Sequence, residues 1–381
     1  MKQLRIGYVP LSDAAVLIAA AERGFGEAEG LQLELVREVS WANIRDKLIL
    51  GHFDAAHMLA PFVIATSLGL GHLRVPLIAP FALNLNGNAI TISNELFLDM
   101  VTLFGRAPEG LKETASALGH LVRKRRDEGA PLLAFGMVFP FSTHTYLLRH
   151  WLRLGGIDPD RDVHLAVVPP PYMADSLRNG LLNGFCVGSP WNSLAVDAHA
   201  GRIVALGVDI ARRAPEKLLA LPESMAKRDP EIVRRLIRAL RAAARWCEDA
   251  NNHADLAALL ASPRHLAMSE HIVRGSLDGD LRIAPNGLKR SDPDFLMFGR
   301  ETTNRPDPRH AQWLYAEMAG AGQTPFAADL YRAAATVYAP ALYDEATGET
   351  HVQTTGDPIA LTHGPRFSEH DPQAYLSALE S

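Results

Sequence analysis

The sequence predicts an α/β protein of two lobes with a ligand cleft between them. Three observations carry this. Short β-like runs alternate with amphipathic helices through the first half of the chain, the pattern of sheets covered by helices. Two such α/β blocks follow one another, and strands and helices then return, as when segments cross between lobes. At 381 residues the chain also exceeds one ordinary core. The boundaries read as 1–92 for the first part of lobe I, 93–192 for lobe II, and 193–381 for the return to lobe I with a C-terminal extension.

Leu4–Val9 is the first strand. Ser12 and Asp13 suit the N-cap of a helix at Ala14–Arg23 that ends near Gly24. Leu31–Val36 alternates polar and apolar residues as a strand does. Trp41–Leu50 has helical periodicity, with Ser40 as its cap and Gly51 as its stop. Phe53–Leu59 is a strand by composition, and Ala60–Leu68 is a helix. Val75–Ala82 and Ala89–Ser93 read as strands around an Asn84-Leu85-Asn86-Gly87-Asn88 turn. In the second block Glu109–Glu128 is a charged helix, Pro131–Val138 an apolar strand, and Thr143–Leu154 a helix stopped at Gly155-Gly156. Val163–Val168 and Gly184–Val187 are strands. Between them, Pro169-Pro170-Pro171 starts a helix near Tyr172. Further on, Arg202–Val208 and Leu218–Leu221 read as strands, and Pro230–Ala250, Arg309–Ala319 and Phe326–Val337 as helices. The polar, turn-rich C-terminal stretch is expected to wrap a lobe or to be poorly ordered.

Composition narrows the function. With 48% hydrophobic and 21% charged residues and a formal net charge of -5, the chain is globular and unsuited to general nucleic-acid or membrane-surface binding. Cys186 and Cys247 have neither redox nor zinc spacing, and Cys186 lies in an apolar run that favours a buried thiol. Phosphate-loop, dinucleotide, nucleophile-elbow and H-E-x-x-H motifs are absent. The histidines are scattered, and His52, His57, His150 and His164 read as structural. No carboxylate pair stands out by position. We therefore expect no catalytic residue, no metal site and no cofactor. Met1-Lys2-Gln3-Leu4 runs straight into the first strand without a secretory pattern, so the expected location is cytoplasmic.

Several segments bring polar groups to element ends. Trp41 opens a helix, where it can aim its indole N–H outward or act as a packing staple. Asn86-Gly87-Asn88 offers amides and a permissive glycine, though turn chemistry alone explains it. His144 follows Ser142-Thr143 at a helix start that can serve an anion or simply be capped. Gly188 joins a strand to a helix and can present backbone N–H groups or merely make the turn. Lys217 enters an apolar strand, where it either snorkels to solvent or meets an anion. On Val233–Cys247, Arg234, Arg238, Arg241 and Arg245 line one face, a candidate partner surface or a solvated one.

These segments, read in order, resemble a known family. Gly7–Ala15, Arg37–Lys47, Asp54–Pro61, Leu85–Ile90, Phe141–His144 and Phe185–Asn192 look like the nitrate- and bicarbonate-binding branch of ABC-transporter solute-binding proteins. The resemblance covers most of residues 1–250. It implies a periplasmic-binding-protein-like (type II) fold. In the nitrate binders the anion is held by an indole, an amide, a histidine, a backbone N–H and a lysine. Carried over by motif, these are Trp41, Asn88, His144, Gly188 and Lys217. Asn88 replaces the glutamine of the nitrate carriers. Lys217 favours nitrate or nitrite, because the bicarbonate relatives carry an acidic residue there. One lysine would then match the charge of an acceptor-only monoanion.

With its bare N-terminus, the chain also resembles the cytosolic sensors of the NasS–NasT pairs. That likeness implies an ANTAR-type, RNA-binding antiterminator partner, sequestered until nitrate or nitrite arrives. The alternatives are a solute-binding component of a nitrate ABC transporter and a small-anion enzyme on the same fold.

Overall fold

A computed structural model describes the chain except His72, residues 350–355, Ser381 and the side chain of Glu380. Thirteen strands are named in chain order: β1 (Lys2–Tyr8), β2 (Leu31–Arg37), β3 (Ala55–Leu59), β4 (Leu77–Asn86), β5 (Asn88–Ser93), β6 (Leu133–Met137), β7 (Val163–Val167), β8 (Gly184–Gly188), β9 (Gly201–Leu206), β10 (Pro215–Pro222), β11 (Asp280–Arg282), β12 (Lys289–Ser291) and β13 (Leu296–Met297). They form two main sheets and one hairpin. The first sheet has the order β13-β4-β10-β3-β1-β2, the second β7-β6-β8-β5-β9, and β11 pairs with β12.

Helical crossovers make β1 parallel to β2 and β3, and β6 parallel to β7 and β8. The strands that carry the chain between lobes run the other way: β10 is antiparallel to β3 and β4, and β5 to β8 and β9. This is the two-lobed α/β architecture expected from the alternation of elements.

The structure corrects where the lobes divide. The sequence reading kept residues 1–92 in lobe I and began the return at 193. Instead the chain changes sheets at Gly87, so β5 lies in the second sheet, and β9 remains there. The expected turn at 84–88 is a crossing between sheets, and β4 continues to Asn86. Asn86 (φ 62) and Gly87 (φ 95) take left-handed conformations that asparagine and glycine tolerate. Asn86 also ties this crossing to the return crossing. Its backbone N–H donates to Ala214 O at 2.9 Å, and its Oδ1 accepts from Ala214 N at 2.8 Å.

Other elements match or differ for identifiable reasons. Ser40, Ser93 and Ser142 accept from the backbone N–H of Asn43, Leu96 and Thr145, fixing three helix starts. The helix Asn94–Phe104 is absent from the sequence reading; Ser93 is both the last residue of β5 and the N-cap of this helix, so the strand pattern masks the helix start. Ser12 and Asp13 do not cap the helix that follows; they form a 3-10 turn with no side-chain capping bond. In Pro230–Glu248, Val233, Leu236, Ile237, Leu240 and Ala244 are fully buried, and each larger aliphatic is worth about 1.5–3 kcal/mol. The arginines on its other faces are engaged within the chain: Arg238 with Glu29, Arg241 and Arg245 with Glu349, and Arg234 with Glu231. A solvated, internally paired face therefore describes this row better than a partner surface.

Part of the C-terminal stretch packs on the rest of the chain. Pro372–Glu380 is a helix whose Tyr375 is buried, and Trp313 Nε1 donates to Tyr375 OH at 2.8 Å.

Candidate functional site

The two sheets meet around a buried polar cluster. The first lobe supplies Asp13 from the 3-10 turn after β1, Trp41 from the first turn of a helix, His57 from β3, and Glu216 and Lys217 from β10. The second lobe supplies Asn88 at the start of β5, His144 in the first turn of Thr143–Leu154, and Gly188 at the end of β8. Residues Asp13, Trp41, His57, Asn88, His144, Glu216 and Lys217 are each at most 2% exposed. Short bonds stitch the lobes together nearby: Ser12 N to Ser189 O (2.8 Å), Trp191 Nε1 to Pro10 O (3.0 Å) and Thr143 Oγ1 to Pro215 O (2.6 Å).

All five residues singled out from the sequence converge here. Lys217 Nζ lies 5.3 Å from the Trp41 ring centroid. Asn88 Nδ2 donates to Glu216 Oε2 at 2.5 Å, and His144 Nε2 is 3.3 Å from Glu216 Oε1. A Cβ added at Gly188 would clash with Leu11 Cδ2 at 2.8 Å and would touch Asp13 Oδ2 and His144 Nε2 at 3.4 and 3.5 Å, so glycine lets the strand end approach both groups. Lys217 does not snorkel to solvent, since it is wholly buried.

One expectation fails. A single lysine was to match the charge of the ligand, yet Lys217 Nζ already lies 2.8 Å from Asp13 Oδ2 and 2.5 Å from Glu216 Oε1. Two carboxylates do meet, although none stood out by position. Asp13 was read as a cap and His57 as a structural histidine. The available signals were an acid inside the apolar run Leu11–Ala20 and an acid beside a lysine in an apolar strand. Strand alternation hides the second, because neighbours should face opposite ways. A bulge removes the conflict: Pro215 and Lys217 oppose the successive residues Leu85 and Asn84, which leaves Glu216 as the extra residue. Glu216 and Lys217 can then serve one space.

The electrostatics follow from burial and from Lys217. Burial pushes the Asp13 carboxyl up, but Lys217 and His57 outweigh it and hold it at about 2. Burial pushes Glu216 above the usual carboxylate range despite Lys217. Lys217 is favoured as the cation, since its two acids outweigh its desolvation. Burial holds His57 and, more strongly, His144 below the ordinary imidazole value; Asp13 opposes this at His57, while the Lys217 charge reinforces it at His144. Both rings are neutral near pH 7.

Many polar atoms in the cluster are unmatched. Among the described residues, Ser12 Oγ, Asp13 Oδ1, Trp41 Nε1, Asn88 Oδ1 and both ring nitrogens of His57 and His144 are buried without a hydrogen-bond partner. His57 Nε2 is 2.9 Å from Asp13 Oδ1, and His144 Nε2 is close to Glu216, but both contacts lie off the line of a hydrogen bond. Buried groups left so are uncommon, and here they gather around Lys217, Glu216 and Asp13. Such an array can grip a small polar ion with several donors. It holds no activated nucleophile: Cys186 is buried and its thiol is pushed well up by desolvation. Among the described residues no cluster of three or more His, Cys, Asp or Glu is arranged to hold a metal, and no helix is long and apolar enough to cross a membrane.

Known proteins share this architecture and much of the sequence. The bicarbonate transport ATP-binding protein CmpC of Synechococcus elongatus is 32% identical over 385 residues, covering 99% of this chain and 54% of that protein. The chain thus spans about half the length of the first curated relatives it matches. The nitrate/nitrite binding protein NrtA of Synechococcus elongatus is 28% identical over 400 residues, covering 100% of this chain and 86% of that protein. The crystal structure of the periplasmic nitrate-binding protein NrtA from Synechocystis PCC 6803 superposes with a TM-score of 0.90 at 25% identity, covering 100% of this chain and 98% of that one. The fold is therefore periplasmic-binding-protein-like. The model of the NMT1-like family matches residues 1–261, and the chain belongs to that family.

Proposed function

We propose that this chain binds nitrate or nitrite between its lobes as the solute-binding module of an ABC-type import system. The observation that carries the reading is the convergence of Trp41 Nε1, Asn88, His144 and Lys217, from both lobes, on one buried space with unmatched polar atoms. A planar monoanion with acceptors only suits donors arranged around one ammonium. Relatives named for nitrate and nitrite, alignable along nearly the whole chain, support it, and other relatives named as nitrate import and bicarbonate transport ATP-binding proteins favour an import role. The test is calorimetry of nitrate, nitrite and bicarbonate on the wild type and Lys217→Ala. We expect micromolar-range binding of nitrate or nitrite that the variant loses. Binding of bicarbonate alone, or of no anion, overturns the reading.

The regulatory form of the proposal rests on the sequence resemblance. In it the protein works in the cytoplasm and sequesters an ANTAR-type antiterminator until the anion arrives. Each ligand would then weaken the other by the same factor. Mixing the purified proteins with and without nitrate separates the two forms. A complex that nitrate dissolves favours the sensor, and no complex leaves the import module.

A further inference from the structure

Two of the donors assigned to the anion are bonded to a group of the protein itself, and a third lies beside it without a hydrogen bond. Lys217 Nζ and Asn88 Nδ2 each lie 2.5 Å from an oxygen of Glu216, and His144 Nε2 lies 3.3 Å from one. A carboxylate is planar and spreads one negative charge over two acceptor oxygens, as nitrite does, and as nitrate does over three. We propose that Glu216 is an internal stand-in for the anion, and that nitrate or nitrite enters together with one proton, which Glu216 accepts. This rests on the oxyanion reading of the site and adds to it a proton-coupled, specificity-determining residue.

Charge accounting carries the argument. The groups facing Glu216 come from every surrounding element: Lys217 beside it on β10, Asp13 from the 3-10 turn, Asn88 from β5 and His144 from the Thr143–Leu154 helix. His57 stands behind Asp13, while the thiol of Cys186 and the phenol of Tyr338 feel the Glu216 charge. With Lys217 charged, Asp13 ionised and both imidazoles neutral, an ionised Glu216 leaves the cluster one negative charge in excess. A further anion added to that desolvated space meets repulsion that Lys217, already matched by two carboxylates, does not offset.

Protonation of Glu216 changes both terms. The solvent-derived proton goes to one carboxylate oxygen and neutralises it. Lys217 and Asn88 Nδ2 are released toward the incoming ion, and the new O–H becomes a further donor to it. The overall step is Glu216 carboxylate plus proton plus nitrate giving Glu216 carboxylic acid hydrogen-bonded to nitrate, and no covalent bond of the ion changes. Burial, which already pushes the Glu216 carboxyl up, prepares this step.

The linkage has a definite sign. Anion affinity is full at a pH below the pKa of Glu216 in the ligand-free protein. Above that pKa it falls by about tenfold per pH unit, until the higher pKa of the anion-bound state is passed. The experiment is nitrate calorimetry on the full chain from pH 6 to 8, in pairs of buffers with different protonation heats, for the wild type and Glu216→Gln. We expect the wild type to take up about one proton per nitrate within the window, with the corresponding fall in affinity. We expect Glu216→Gln to take up none, to bind with a flat pH profile, and to exceed the wild type by about tenfold or more at pH 8. The proposal is overturned if wild-type binding moves no proton, a measurement that needs no variant. It is also overturned if Glu216→Gln retains the uptake, which would place the proton on a histidine. Silence of the wild type toward nitrate, nitrite and bicarbonate alike is a different result: it removes the oxyanion reading and this inference with it.

Discussion

Two buried glutamates of this molecule differ in what surrounds them. Glu317, on the helix Pro308–Gly320, is held by Tyr375 OH and lies 2.9 Å from His150 Nε2, and Tyr375 in turn accepts from Trp313 Nε1. Burial raises the Glu317 carboxyl, but His150 and these hydrogen bonds outweigh it, and it is held below its ordinary value. Glu216 is just as buried and is held above it, among histidines and an indole whose polar atoms lack partners. A satisfied network fixes structure. The Glu317 network fastens the C-terminal helix, through Pro308–Gly320, to the second-lobe helix Thr143–Leu154, six residues past His144. An unsatisfied one is a standing cost that a ligand can relieve. The two ends of the same second-lobe helix thus serve different purposes.

The largest effect expected is from Lys217→Ala. It strands two buried carboxylates, so denaturant titration should show a loss of about 3–5 kcal/mol, and calorimetry a loss of nitrate affinity of about 100-fold or more. Retention of binding in this variant would break the comparison, since Lys217 would then be as structural as His150. Next is Glu317→Ala. Removing the centre of the matched network should cost about 3 kcal/mol in stability while nitrate affinity stays within about twofold. A parallel loss of affinity would make the C-terminal network part of the binding apparatus.

Smaller and opposite in kind is Trp41→Phe. It deletes an unmatched donor, so nitrate affinity should fall by about tenfold while stability changes by less than about 1 kcal/mol. The smallest effect is that of pH on the ligand-free protein. His57 and His144 are held below the ordinary imidazole value of 6.5 by burial, so the unfolded chain binds protons that the native state refuses. Their contribution to stability is present above pH 6.5 and is lost as pH falls below it. Glu216, held high, acts in the opposite sense, so a melting scan from pH 7.5 to 5.5 should fall by a few degrees and fall further in Glu216→Gln. A melting temperature of Glu216→Gln that rises on acidification would contradict the neutral assignment of the two rings.

Much of this arrangement was legible before the structure. Thr143–Leu154 and Ala60–Leu68 are helices over the residues expected, because capping serines, apolar spacing and flanking glycines are local signals. The five carried-over residues come together because four of them sit at element ends and Lys217 lies beside the bulge near the start of β10. What escaped was non-local. Asp13 looked like a cap because its partner, Lys217, is remote in the chain. Asn86 looked like part of a ligand turn, yet it locks two crossing segments together. Pro372–Glu380 looked unstructured because its helix is held by a tyrosine that must find Glu317 and Trp313.

The sequence by itself determined the α/β elements, their order and the donors offered at their ends, since propensity, capping and periodicity act over a few residues. Only the tertiary structure decided how the charge of Lys217 is met. That balance depends on a bulge in β10 that turns Glu216 inward and on sheet packing that delivers Asp13. Electrostatic pairing in a space without solvent is set by which distant groups arrive there, and no local pattern records it.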